Sequence, residues 1–120
     1  MRRGTFRIWM SNKQGELERR PIPAWLDRGL AYHHAGGCKS GVWCISHAGS
    51  GKLVSWLPNL HLKDIQACGN ELIEAGLAVG LDFERPPFDG DLDDTIMTNP
   101  TYLAWSDKAY PILVKWRERG

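Results

Sequence analysis

Apolar side chains recur along this chain with two different periods. Leu62, Ile65, Gly69, Leu72, Ile73 and Gly76 fall on one stripe at spacings of three and four, while Lys63, Asp64, Gln66, Asn70, Glu71 and Glu74 occupy the opposite side. That is the period of an amphipathic helix laid on a sheet. Asn59 or His61 is placed to cap it, and Asp64 puts negative charge in its first turn, where the helix dipole favours it. Gly76 suits the left-handed position beyond its end. Gly69 lies inside the stripe and predicts a close approach of helix to sheet. The following "LAVGLDFE" (77–84) reads as a strand.

Elsewhere the period is two. Residues 42–48 and 52–57 are rich in β-branched, aromatic and aliphatic side chains and are separated by "AGSG", a hairpin signal. Trp43, Ile45 and His47 should share one face, with Val42, Cys44 and Ser46 on the other. Both faces carry apolar groups, so this strand should be covered on both sides. Residues 5–10 form a further strand, "SNKQG" a turn, and 16–20 a charged return strand. "PIPAWLDRG" is punctuated by Pro21 and Pro23 and reads as extended or irregular at first, ending in a short helical turn. Residues 29–35 form a strand and "GGCKSG" a flexible link.

Beyond residue 84, "RPPFDGDLDDTIMTNP" reads as an exposed loop. Asn99 before Pro100 is a helix start. Pro111 predicts a break, leaving a short turn near 100–105 and a terminal helix over 111–119 with Ile112, Leu113 and Trp116 on its buried side. The pattern as a whole gives one α+β domain, residues 1–120: an antiparallel sheet of about four to six strands, one main helix packed on it and a short C-terminal helix.

Composition narrows the class. At 120 residues, with 42% hydrophobic and 24% charged side chains, the chain is globular rather than disordered. No apolar run is long enough for a transmembrane helix, and the start lacks the apolar core of a signal peptide. Three cysteines, with no C-x-x-C pair and no export signal, point to a reduced cytoplasmic protein. A formal net charge of +1 supplies no electrostatic case for nucleic acid, and the basic residues Arg2, Arg3, Arg7, Arg19 and Arg20 near Trp9 are offset by 14 acidic ones. Six tryptophans serve a small core first, and a binding surface second.

Motifs carrying chemistry are weak. "SHAGSGK" departs from a phosphate-binding loop, because Ser46 replaces the first glycine, Leu53 stands at the metal-binding hydroxyl, and a strand follows instead of a helix. His33, His34, Cys38, Cys44 and His47 form the densest set of metal-ligand types, but their spacings fit no zinc pattern, and alternation puts about half of them on each face. "DGDLDD" lacks the glycine and terminal glutamate of a calcium loop. Asp82 and Glu84 would share a strand face, without the lysine that a nuclease arrangement needs. Ser46 and His47 point apart and sit in no nucleophile elbow.

The segment "YHHAGGCKSGVWCISHAGSGKLVSWLPNLHLKDI" resembles the strand–W-x-x-S-H–hairpin–G-K–strand–helix unit of small proteins carried by phages, plasmids and integron gene cassettes. The likeness covers about a third of the chain. It implies a mobile-element origin and transfers no catalytic residue. The residues themselves point to a non-enzymatic binding module that meets a protein partner or a second copy of itself, with no cofactor, metal or membrane. Its contact residues would be Trp9, Trp43 and Trp56, with His47 and Lys52 at the hairpin. One alternative is a small cationic or aromatic ligand in a tryptophan-lined pocket with Asp82 or Glu84. Another is a metal-dependent enzyme using histidines and carboxylates.

Overall fold

The computed structural model describes residues 1–34, 42–58, 60–85, 88, 96 and 98–119. Five strands, β1 (Arg2–Ser11), β2 (Leu17–Asp27), β3 (Leu30–His34), β4 (Val42–His47) and β5 (Leu53–Pro58), pair in chain order as an antiparallel meander. Two helices follow, α1 (Leu62–Ala78) and α2 (Pro100–Arg119). The architecture is the predicted α+β one. The link at 36–41, the acidic run at 89–94 and Cys38 lie outside the described residues.

Turn chemistry sets the register. Asn12 accepts the amides of Gln14 (2.9 Å) and Glu16 (3.0 Å) at the tip of the β1–β2 hairpin. Arg28 and Gly29 both take positive φ, 47° and 92°, which gives a two-residue turn whose twist matches the strands it joins. Arg28 is held there by Asp27 (3.2 Å) and by Asn70 of α1 (2.7 Å). A β-bulge opposite Ile45 and Ser46 bends the β4–β5 pair.

The central strands are covered on both faces. Leu30, Tyr32 and Ile45 face the helices and join the main core with Leu57, Ile65, Leu72 and Trp105. Ala31, on the opposite face, packs with Phe6, Ile22 and Ala24, because the long β1–β2 hairpin curls over that side. The curl nearly closes the sheet: the Trp9 amide points at the Gly51 carbonyl, at 3.5 Å, and a side chain at Gly51 would sit 2.2 Å from the Arg7 carbonyl oxygen. On the helical side, a side chain at Gly69 would meet the Tyr32 hydroxyl at 1.8 Å. The predicted close approach is therefore present, and it is what admits the Tyr32 ring beneath α1.

Three expected boundaries move. Residues 21–27 take the extended of the two expected forms, with β2 running through both prolines, and no helical turn ends it. Pro21 and Pro23 lie where β2 has β1 alone as neighbour, since β3 pairs only with Trp25, Leu26 and Asp27. A half-edge strand tolerates a missing N–H. Second, α1 passes Gly76 and ends at Gly80 (φ 86°), where the amides of Gly80 and Leu81 bond to Leu77 (3.2 Å) and Gly76 (2.8 Å). That pair of bonds is a Schellman ending. Residues 81–84 then make no strand; Leu81 and Phe83 are buried, but the segment lies outside the sheet and turns at 82–85, where the Arg85 amide donates to the Asp82 carbonyl at 3.1 Å.

Third, α2 does not break at Pro111. Tyr102, Trp105, Ala109, Ile112 and Trp116 form one stripe across it, and Pro111 is exposed on the opposite side. The carbonyl deprived of its donor therefore faces water, while burial of the stripe favours one continuous helix. Asn99 caps this helix as predicted, accepting from Thr101 (2.9 Å) and Tyr102 (3.2 Å). The helices are tied together by Glu71, which binds Lys115 at 2.5 Å and the Trp116 indole, and by the Trp105 indole, which donates to the Leu72 carbonyl at 2.9 Å.

Two glycine substitutions separate closure from backbone strain. Gly51→Ala and Gly15→Ala both force alanine into positive φ, but only Gly51 is crowded. Urea denaturation should show Gly15→Ala costing about 1 kcal/mol and Gly51→Ala roughly 1–3 kcal/mol more. Equal losses would mean that the contact between the turn and β1 contributes nothing. Gly69→Ala gains about 1 kcal/mol in helix propensity yet should destabilise overall, because the Tyr32 ring must move.

Candidate functional site

His33 and His47 carry the buried polar chemistry of the sheet. The His33 Nδ1–H donates to the His34 carbonyl (2.9 Å), which leaves Nε2 to accept the Ser46 hydroxyl (2.8 Å). Nε2–H of His47 donates to the Phe83 carbonyl (3.0 Å), and its Nδ1 accepts from Ser50 (2.9 Å). This second network anchors the segment after α1 to the β4–β5 turn. Ser46 and Ser50 are both 0% exposed, so neither presents a nucleophile to a substrate. Burial raises the Cys44 thiol and pushes the Cys68 thiol up to about 12, away from reactive thiolate. His33 and Cys44 are cross-strand partners, whereas His34 and His47 lie on the other face; no group of three metal-ligand types forms among the described residues.

The other candidate residues are spread over separate parts of the surface. Trp9 and Lys52 come together at the mouth of the curled sheet, where Ile8, Leu17, Cys44 and Leu53 complete an open apolar groove floored by His33. Trp9 donates its indole N–H to the Ser50 carbonyl (3.0 Å) and carries the Arg19 guanidinium 5.8 Å from its ring centre. Trp9, Leu17 and Leu53 keep 42%, 69% and 54% of their surface exposed, so three of the four large apolar side chains exposed on the described strands gather at this groove. Leu17 and Leu53 were not among the candidates. Each flanks a turn, and only the curl brings the two turns together.

Trp56 sits on the outer edge strand beneath Arg117, which also binds Ser55 (2.5 Å) and the Trp56 carbonyl (3.3 Å). That contact covers part of a free sheet edge. Trp43 stacks on His34, ring centres 4.0 Å apart, at the side of the main core and away from the groove. Asp82 and Glu84 do not form a carboxylate pair: Asp82 accepts the Glu84 amide (3.0 Å) and pairs with Arg85 (3.3 Å), while Glu84 lines a separate depression with Arg2, Asp27 and Arg28.

His47 and Lys52 also line a cavity of about 300 Å³ between β5 and α2. Trp105 is its one tryptophan and neither Asp82 nor Glu84 reaches it, so the tryptophan-rich acidic pocket is not formed there.

Charge is segregated more than the net value suggests. Residues 1–28 hold seven Lys or Arg against three Asp or Glu, and the remainder eight against eleven. Along the β1–β2 hairpin the odd positions share a face: Arg3, Thr5, Arg7, Trp9 and Ser11 oppose Trp25, Pro23, Pro21, Arg19 and Leu17, without a carboxylate among them. No helix among the described residues is long and apolar enough to cross a membrane.

Compared with protein-family models, with curated proteins and with solved structures, the chain matches none. The resemblance to proteins of mobile elements finds no counterpart there.

Burial of neutral His33 has a measurable consequence. Its pKa is lowered from 6.5, chiefly because burial penalises the imidazolium, with the bond to the His34 carbonyl opposing. A depressed folded-state pKa means that the unfolded chain binds the proton first as pH falls. The contribution is whole above the unfolded value and is lost as pH drops below about 6.5 towards the folded value. Urea midpoints taken between about pH 7.5 and pH 5.5 should fall with acidification, and His33→Asn, which keeps an acceptor for Ser46, should flatten the slope. An unchanged slope in the variant would assign it to another group.

Proposed function

We propose that this protein is a non-enzymatic binding module whose contact surface is the outer face of the β1–β2 hairpin together with the groove at its tip. The carrying observation is the juxtaposition of a carboxylate-free face bearing Arg3, Arg7 and Arg19 with the exposed apolar side chains of Trp9, Leu17 and Leu53. Exposed aromatic and aliphatic anchors give a partner something to bury, and a one-sign rim selects its charge. The partner this surface fits is a protein segment that is apolar and acidic. Pairing with a second copy through the sheet edges is disfavoured by Arg117 on one edge and by the approach of Gly51 to the other.

Fluorescence anisotropy with a labelled peptide of alternating Asp and Leu residues tests this. Saturable binding should weaken as salt rises, because the rim charges are exposed. Arg7→Glu and Trp9→Ala should each weaken it by about tenfold, the range of a good interface contact. Tighter binding of a labelled oligothymidylate, with a steep salt dependence, would replace this reading with single-strand recognition. No binding of either probe would remove the surface from consideration.

A further inference from the structure

The cavity between β5 and α2 lies on the opposite side of the sheet from the groove at the hairpin tip and does not depend on the reading above. Its walls come from Val54, Phe83, Phe88, Ile96, Trp105 and Leu113. At about 300 Å³ it falls at the small end of ligand sites, which are mainly apolar with a few convergent polar groups. Two of its rings are already fixed: Phe83 meets Trp105 edge-on with centres 5.2 Å apart, and Phe83 is in turn held by the bond from His47 to its carbonyl. Trp105 is fixed through its indole N–H to the Leu72 carbonyl. A rigid aromatic wall receives a planar ring with little ordering cost on the protein side.

Among the described residues, the polar side chains lining this cavity are His47, Lys52, Tyr102, Ser106 and Tyr110. Of these described residues Lys52 is the only charged one; it is exposed and makes no ion pair with another described residue. Ser106 and Tyr110, also exposed, supply hydroxyls on the α2 side. From this arrangement we propose that the cavity binds a small aromatic carboxylate, its ring among Phe83, Trp105 and Leu113 and its charged group at Lys52. A carboxylate at the rim gains a charge-assisted bond there without being carried into the apolar interior, where it would be costly.

Protein-observed NMR titration of the full chain with 2-naphthoate, 2-naphthol and 2-naphthylmethylamine tests both halves of the proposal, since the three probes share a ring and differ in charge. Naphthoate should bind saturably, perturb Val54, Ala109 and Leu113, and bind about fivefold or more tightly than naphthol, the scale of one exposed charge contact. Lys52→Met should reduce naphthoate to the naphthol level and leave naphthol unchanged. Ser106→Trp, at an exposed position beside the cavity, should abolish binding of all three, and Leu113→Trp serves the same end should the first variant fail to fold. Binding confined to Ile8, Trp9 and Leu17, insensitivity to the blocking variant, or no saturable binding would overturn the site. Equal or tighter binding of naphthol or of the amine would overturn the ligand class.

Discussion

The two central strands of this sheet are buried from both sides, and everything else is arranged to make that possible. Leu30, Tyr32 and Ile45 are 0% exposed on one face and Ala31 and Ser46 on the other. A strand pair covered in this way needs a layer on each side at close range, and among the described residues two helices and the β1–β2 hairpin provide them. The helices cover one face. The β1–β2 hairpin is long enough to bend back and cover the other. Each cover closes through a glycine: Gly69 yields space to the Tyr32 ring, and Gly51 to the Arg7 backbone. Close packing leaves no slack for a side chain at either point.

Double coverage also determines where polar groups can be. His33, Ser46, His47 and Ser50 are all buried, and each is paired with another or with a backbone carbonyl. Unpaired, any one of them would cost on the order of 1–3 kcal/mol. The pairing makes these residues structural and removes them as reagents. The Tyr32 hydroxyl and His34 Nδ1 are exceptions, buried with no hydrogen-bond partner among the described residues, the hydroxyl beside Gly69 and the imidazole stacked on Trp43. The Tyr32 ring fills the space beneath α1, so the hydroxyl is carried in with the packing of the aromatic body.

Much of this fold was legible because strong local signals agreed with the global arrangement. The α1 stripe, the turns at "SNKQG" and "AGSG", the Asn99–Pro100 start and the place of Gly69 all follow from local chemistry. The boundaries misplaced at prolines share one physical cause: a local breaker was outweighed by tertiary context. Pro111 falls on the solvent side of a helix whose other side is buried throughout, and Pro21 and Pro23 fall where β2 has one neighbour. Gly76 and Gly80 both suit a helix end, and the bonds from Gly80 and Leu81 decide between them. The groove was only half legible. Trp9 and Lys52 could be picked as exposed residues near turns, but Leu17 and Leu53 join them through a curl that depends on contacts between residues about forty positions apart.

These constraints bear on function through what they leave over. His33, Ser46, His47 and Ser50 are paired inside the fold and Cys44 is buried, and Asp82 is engaged by Arg85 and the Glu84 backbone. The features that stay open to a partner or ligand are of another kind: exposed apolar side chains at the mouth of the curl, a hairpin face of one charge sign, and an aromatic-walled cavity with a lysine at its rim. Burial, charge selection and shape are the means of recognition rather than of bond making. The two surfaces also share an anatomical origin. Lys52 and Leu53 follow the β4–β5 turn, which is held from one side by Trp9 and Arg19 and from the other by His47. A turn fixed on both sides sets the position of groove and cavity together, so a partner that shifted this turn would be felt at both.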